Sequence, residues 1–213
     1  MNETTTRERI FKRIRSASPV HADNIYENVN QEDNIYNSVD DDDLLVVFAR
    51  ELNNIGGSFV YCENKTEFIN NLAILMKSRE IDNIFSFDKK IAEILKGTDI
   101  KVFNDENALT KAPYVLTTCE ALVARTGSVV ISSAQSAGRA ANFLPATHIV
   151  VASASQAVET VKDAMELISE KYESTPSMVS FITGPSRTAD IEKTLVMGAH
   201  GPRELIVFVV EDF

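Results

Sequence analysis

MVSFITGPSRTADIEKTLVMGAHGPRELIVFVV, residues Met178 to Val210, is the stretch that decides the fold. Two apolar runs, Met178 to Ile182 and Leu205 to Val210, enclose three of the eight glycines, two of the six prolines and one of the three histidines of the chain. Near-continuous apolar runs are the mark of strands buried on both faces. Glycine and proline between them fix special backbone conformations rather than fill a core. Polar groups gathered at the end of a buried strand usually serve a site, so Thr183 to Pro202 is the first place to look for function.

Upstream, strands and helices alternate. Leu44 to Leu52 has helical spacing and ends at Gly56-Gly57, and Ser58 to Cys62 reads as a strand. Asn64 with Glu67 makes a capping box for a helix running to about Arg79. Ile84 to Phe87, Ile100 to Phe103 and Tyr114 to Thr117 read as strands, with a helix over Lys89 to Lys96 stopped by Gly97. Thr117 with Glu120 is expected to cap a short helix through Ala124. Ser128 to Ser132 and His148 to Ala152 are strands. Ser153 with Gln156 is expected to cap a helix that carries Val158, Val161, Met165, Ile168 and Tyr172 on one face. The pattern predicts an α/β fold, a mostly parallel sheet sandwiched by helices, with its ligand site at the carboxyl ends of the strands.

The first 42 residues differ from the α/β domain expected over 43–213. Arg7 to Ser16 forms a short amphipathic helix with Ile10, Phe11 and Ile14 between Arg and Lys residues. Val20 to Asp43 has eight acidic residues and no Lys or Arg, and contains the repeat DNIYENV (Asp23–Val29) and DNIYNSV (Asp33–Val39). A flexible acidic linker accounts for this segment. So does an extended acidic arm whose Tyr26 and Tyr36 anchor on its own domain or on a second subunit, a route to a homo-oligomer.

The 44% apolar and 24% charged residues are those of a globular protein, and the net charge of −10 argues against nucleic acid and anionic membranes as main partners. A small anionic ligand remains open, because a few local cations can hold one. Cys62 and Cys119 make no CxxC pair and cannot alone hold an iron–sulfur cluster or a structural zinc. They read as buried reduced thiols of a cytoplasmic protein. No stretch approaches the ~20 apolar residues of a membrane span, and the N-terminus has no apolar leader. Three scattered histidines and no HExxH pattern leave no metal site to propose.

Three clusters carry candidate chemistry. Thr126, Gly127 and Ser128 form a glycine turn with flanking hydroxyls, suited to an oxyanion or simply a turn. Ser132 to Arg139 follows a strand, and Arg139 can pair with a carboxylate or phosphate, or with a structural acid. Gly184, Ser186, Arg187 and Thr188 leave a strand and are expected to enter a helix near Ala189, whose N-terminus would favour an anion. Asp190 complements that dipole or orients Arg187. His200, beside Gly201, is the acid–base candidate with Asp190. His148 reads as structural and His21 lies in the arm. Neither GxxxxGK[ST] nor GxGxxG occurs.

TGPSRTADIEKTLVMGAHGP, together with ARTGSVVISSAQSAGRAANFLPATHIVV (Ala124 to Val151), resembles the LUD domain of the lactate utilization protein C family from about Asp43 onward. The resemblance implies a fold similar to the sugar-phosphate isomerase and CoA-transferase group. It also implies a role in oxidising L-lactate to pyruvate beside iron–sulfur subunits, one with cysteine-rich repeats and one with ferredoxin-like clusters and its own LUD domain. Relatives often have an acidic residue where this chain has Arg125. CoA-transferase chemistry needs a glutamate nucleophile, and Glu120, nearby in sequence, is more simply a cap.

Three functions are weighed. The first is an accessory or ligand-binding subunit of an iron–sulfur-dependent L-lactate oxidation complex, carrying no cluster itself. The second is a free-standing enzyme on a phosphorylated or CoA-linked small molecule. The third is a structural scaffold. No cofactor is named by the residues.

Overall fold

The computed structural model describes residues 5–17, 43–105, 112–135, 140–191 and 194–213. The acidic arm with its Ile-Tyr copies, and Arg139, lie outside them. The chain divides into two units, Met1–Ser38 and Val39–Phe213. In the first, helix α1 spans Thr6–Ala17 and buries none of its residues. Its start is a reciprocal box: Glu8 N donates to Thr5 Oγ1 at 3.3 Å, and Thr5 N donates to Glu8 Oε2 at 2.8 Å.

The second unit runs α2 (Leu44–Asn54), β1 (Ser58–Asn64), α3 (Lys65–Ser78), β2 (Ile84–Phe85), α4 (Lys89–Ile94), β3 (Val102–Phe103), β4 (Tyr114–Thr118), β5 (Ala121–Val123), β6 (Ser128–Ser132), β7 (Thr147–Ser153), β8 (Ala157–Val158), α5 (Val161–Lys171), β9 (Val179–Ile182), β10 (Arg187–Ile191), β11 (Thr194–Met197) and β12 (Glu204–Asp212). Six strands form a sheet in the order β1-β12-β7-β4-β2-β3, every neighbouring pair parallel. A second sheet, β8-β5-β6-β9, is antiparallel except between β5 and β8.

Period-two alternation sorts the central strands into two cores. Leu205, Val207 and Val209 with Val150 and Ala152 face one way, against Phe48 and Leu52 of α2 and Leu122, Val129 and Ile131 of the smaller sheet. Ile206, Phe208 and Val210 with Ile149 and Val151 face the other, against Phe68, Leu72 and Met76 of α3 and Ile91 of α4. The smaller sheet's remaining face, Ala121, Val123 and Val130, packs on Ala164 and Ile168 of α5. The predicted α/β architecture with a parallel sheet between helical layers is present, and the smaller sheet adds a layer of its own.

Of the three expected capping boxes, only the one at Asn64 opens the helix it was expected to open; α2 opens on Asp43, which the sequence reading did not single out. Asp43 accepts from Leu45 N at 2.8 Å to open α2, and Asn64 accepts from Glu67 N at 3.0 Å to open α3. Three helical expectations are corrected. Ala121–Val123 is strand β5, not a helix capped by Thr117 and Glu120, because it pairs on both sides with β6 and β8. The Ser153–Gln156 box exists but closes a single 3-10 turn, and α5 starts later on its own cap, Thr160. No helix begins near Ala189: β10 and β11 form an antiparallel hairpin there, with Arg187 opposite Met197 and Thr188 opposite Val196.

His148 is wholly buried on β7, as a structural reading requires, with Nε2 at 2.8 Å from Thr117 Oγ1 and Nδ1 without a hydrogen-bond partner among the described residues. Burial pushes its pKa down to about 4, so the imidazole is neutral in the fold. The unfolded chain takes up this proton near the ordinary histidine value of about 6.5. Stability is therefore full above that pH and falls as pH drops toward 4, by up to about 1.4 kcal/mol per pH unit. His148→Gln should remove this limb. Denaturant unfolding of both proteins between pH 7 and pH 4.5 checks it, and a constant difference in stability across that window would sink the assignment.

Candidate functional site

The sequence-predicted residues fall at two opposite edges of the large sheet. Gly184–Thr188 and Gly198–Arg203 meet at the amino edge, not at the expected carboxyl ends. Ser186 N donates to Pro202 O at 2.8 Å and Gly198 N donates to Ser186 O at 2.9 Å, so the two glycine-proline turns lock backbone to backbone. Arg203 N then donates to Ala146 O at 2.7 Å, which sets the loop against the start of β7. A Cβ on Gly201 would sit 3.1 Å from Ser186 Cβ, so that glycine permits the close approach.

Arg187 reaches back to α2. Its Nη2 donates to Ile55 O at 2.6 Å, at the helix C-terminus, where a cation meets both an orphan carbonyl and the negative end of the dipole. Gly184 (φ +79°) lies against the same Ile55 carbonyl. Ser128, buried, shares hydroxyl contacts of 2.7 Å with Thr126 and with Thr183, a chain of three hydroxyls on this edge. Gly127 (φ +60°) has a packing duty: a Cβ there would stand 2.4 Å from Leu52 N. His200 is exposed and makes no hydrogen bond to any described residue. Asp190 lies on β10 by its backbone, and its side chain is outside the described set. This edge thus gathers Arg187, held on Ile55 O, with His200, Ser186 and Thr188.

Ser132 stands at the carboxyl edge instead. There Glu120, buried, accepts from Ser132 Oγ at 2.5 Å, Lys171 Nζ at 2.6 Å and Tyr172 OH at 2.8 Å. Burial is the largest influence on this carboxyl and raises its pKa, but Lys171, Ser132 and Tyr172 together bring it below the ordinary value. Ser132 N donates to Gln135 Oε1 at 3.0 Å, Gln135 Nε2 donates to Thr118 Oγ1 at 3.3 Å, and Thr118 Oγ1 donates to Asp88 Oδ2 at 2.5 Å. The two edges have opposite character: exposed cations at one, buried paired carboxylates at the other.

The family model described as the LUD domain matches residues 22–210. The chain belongs to the LUD domain family. Over 93 residues it is 43% identical to Lactate utilization protein C of Geobacillus kaustophilus, a match covering 42% of this chain and 39% of that protein. Over 217 residues it is 29% identical to Lactate utilization protein C of Macrococcus caseolyticus, covering 95% of this chain and 93% of that one. The match thus spans about two fifths of the first relative and nearly all of the second. The crystal structure of a DUF162 family protein from Deinococcus radiodurans superposes with a TM-score of 0.61 at 22% identity, over 78% of this chain and 96% of that one, which shows a shared fold.

Among the described residues of this LUD domain, no group of three or more His, Cys, Asp or Glu is placed to hold a metal, and no helix is long and apolar enough to cross a membrane. Arg125 pairs with Glu159 at 3.0 Å. Two features escaped sequence reading. Arg203, exposed beside His200, was signalled only by its place in the GAHGPR loop. The Glu120 cluster joins residues 12, 51 and 52 positions apart, which no local pattern reveals.

Three substitutions test these roles. Gly127→Ala adds a strained φ and a backbone clash, and should cost ~2 kcal/mol or more. Gly97→Ala, also at positive φ (+85°) but with nothing within 4 Å, should cost about 1 kcal/mol. Equal losses in urea unfolding would remove the packing argument. Glu120→Gln should cost about 1.5–3 kcal/mol near neutral pH, as charge-assisted bonds are lost. Because the folded pKa lies below the unfolded one, that penalty is present above about pH 4.5 and shrinks as pH falls through the folded value. A penalty that grows on acidification would contradict the cluster.

Proposed function

We propose that this LUD domain serves L-lactate utilization as the accessory, ligand-binding subunit of an iron–sulfur-dependent L-lactate oxidation complex. The observation that carries the reading is the family match over residues 22–210, with a relative aligned along nearly its whole length bearing the name Lactate utilization protein C. Lactate and pyruvate are small carboxylates, and Arg187, Ser186 and His200 present donors for such an anion at the amino edge. Thr126, Ser128 and Gly184 support that edge from below, and Gly201 lets the two turns approach. Asp190 and Arg139 stay in the proposal as the acid partner of His200 and as a second anion contact.

Cys62 lies in the core under α3 and Cys119 in the core under α2. Two thiols in separate cores support the part of this proposal in which partner subunits carry the clusters and take the electrons from lactate. The purified chain alone should therefore bind a ligand while oxidising little lactate. The other reading, a free-standing enzyme on a phosphorylated or CoA-linked molecule, is favoured by one observation: His200 is exposed, so its ring can reach a substrate proton.

A thermal-shift screen of the purified chain against lactate, pyruvate, CoA, nucleotides, flavins and sugar phosphates tests both. A ligand at ~100 times its Kd adds about 2.7 kcal/mol. The expected result is a shift with a small carboxylate, lost in His200→Ala and in Arg187→Gln. A shift with CoA or a sugar phosphate, coupled to turnover that His200→Ala abolishes, would move the assignment to the free-standing enzyme. Lactate oxidation at full rate by the chain alone would end the subunit reading.

A further inference from the structure

The edge strand β1 and helix α2 leave a groove of about 420 Å³ between them. Its walls are apolar, from Leu45, Val46, Ala49 and Phe59, with the Tyr61 ring beside them. Val46 is 56% and Tyr61 44% exposed, a large apolar display on a sheet edge that carries no Pro, Lys or Arg to guard it. The rim is acidic. Asp43 and Glu211 line it, and Tyr61 OH donates to Glu211 Oε2 at 3.0 Å. Glu63 and Glu67 extend the same negative field over Tyr61, whose pKa is raised chiefly by its bond to Glu211. Arg50, the cation of α2, is engaged with Glu51 at 3.4 Å.

Helix α1 has the complementary surface. Ile10, Phe11 and Ile14, spaced i, i+1, i+4, make an apolar stripe that is 54%, 46% and 56% exposed. Five cations, Arg7, Arg9, Lys12, Arg13 and Arg15, surround it against the single carboxylate Glu8. On a chain of net charge −10, this is a local concentration of the opposite sign. Twelve residues with no buried side chain are also marginal as a free helix, so a groove that takes the stripe would stabilise it. An aromatic and two branched aliphatics are what a helix-in-groove contact of this kind uses as anchors.

We propose that α1 of one copy seats Ile10, Phe11 and Ile14 in the α2–β1 groove of a second copy, with its arginines against Asp43, Glu63 and Glu211, and that the exchange is reciprocal. A two-fold dimer makes this contact twice. That repetition is what a helix of twelve residues needs to approach the ~1,200 Å² of a stable interface. The 25 residues from 18 to 42 can span up to roughly 80 Å when extended, so their covalent length permits the exchange. The inference is independent of the ligand bound at the amino edge.

Sedimentation equilibrium of the full chain tests it. At low ionic strength a dimer is expected, with dissociation rising about tenfold or more as salt screens the contact. Phe11→Glu with Ile14→Glu should give a monomer whose near-UV circular dichroism is unchanged, since α1 buries nothing in its own unit. Arg9→Glu with Arg13→Glu should do the same, and adding Glu63→Lys with Glu211→Lys should restore the dimer. Three results overturn the proposal: a monomer at every salt and concentration, a dimer that survives Phe11→Glu with Ile14→Glu, or a charge reversal that the opposite reversal fails to rescue. A monomer with α1 folded onto its own groove counts among the first.

Discussion

Strand β12 enters the sheet between β1 and β7, and both cores are incomplete without it. Its register runs from Ile206 opposite Ser58 to Asp212 opposite Asn64 on one side, and from Glu204 opposite Thr147 to Val210 opposite Ser153 on the other. Leu205, Val207 and Val209 fill one core while Ile206, Phe208 and Val210 fill the other. The last strand in sequence is thus central in space, and its neighbour β1 lies near the start of the domain. Loop-closure entropy makes such a contact slow to form and gives it no local support. The segment that delivers β12 must fix its height by itself. Ser186, Ala146 and the ion pair of Arg79 with Glu204 supply that fixing at the strand's first residues.

This constraint explains why the glycine-rich motif lies at the amino edge. The turns at Gly184 and Gly198 are part of the route by which the chain crosses from the smaller sheet back to the larger one. Their positive φ values and close backbone contacts serve the crossing first. A site built on such turns gains rigidity, because the donors of Ser186 and Arg187 project from backbone already held by hydrogen bonds. Packing there is compatible with the binding proposed for the motif.

The large sheet was legible because its central strands are near-continuous apolar runs and α3 begins at a recognisable cap, Asn64. Ala121–Val123 was not, since Ala and Leu favour a helix and only pairing with β6 and β8 makes them a strand. Thr188 and Ile191 with Thr194 and Val196 are β-branched, yet Ala189, Glu192 and Lys193 between them give the segment a helical look. The hairpin is decided by cross-strand partners that a local window does not contain. The candidate site was visible as residue types, but its position was not, because the topology that puts Pro202 against Ser186 is set by where β12 inserts. Glu120 was read as a cap for the same reason: Lys171 and Tyr172 arrive from α5, fifty residues away.

Electrostatics favours the amino edge over the carboxyl edge for an anion. At the carboxyl edge Lys171 is already bound to Glu120, and the first amides of α4 face Asp88, whose Oδ1 accepts from Lys90 N at 2.9 Å. A ligand carboxylate arriving there would meet two fixed carboxylates with their donors taken. At the amino edge the negative end of α2 is offset by Arg187, and the nearby acids Glu159 and Glu204 are paired with Arg125 and Arg79. Arg203, exposed, then adds a positive charge that no described carboxylate cancels. On a chain of net charge −10 the long-range field repels anions, so the binding proposed above would have to come from short-range donors at this edge. Such a site should hold a small carboxylate more strongly as salt screens the distant charges, the reverse of what a basic protein surface would do.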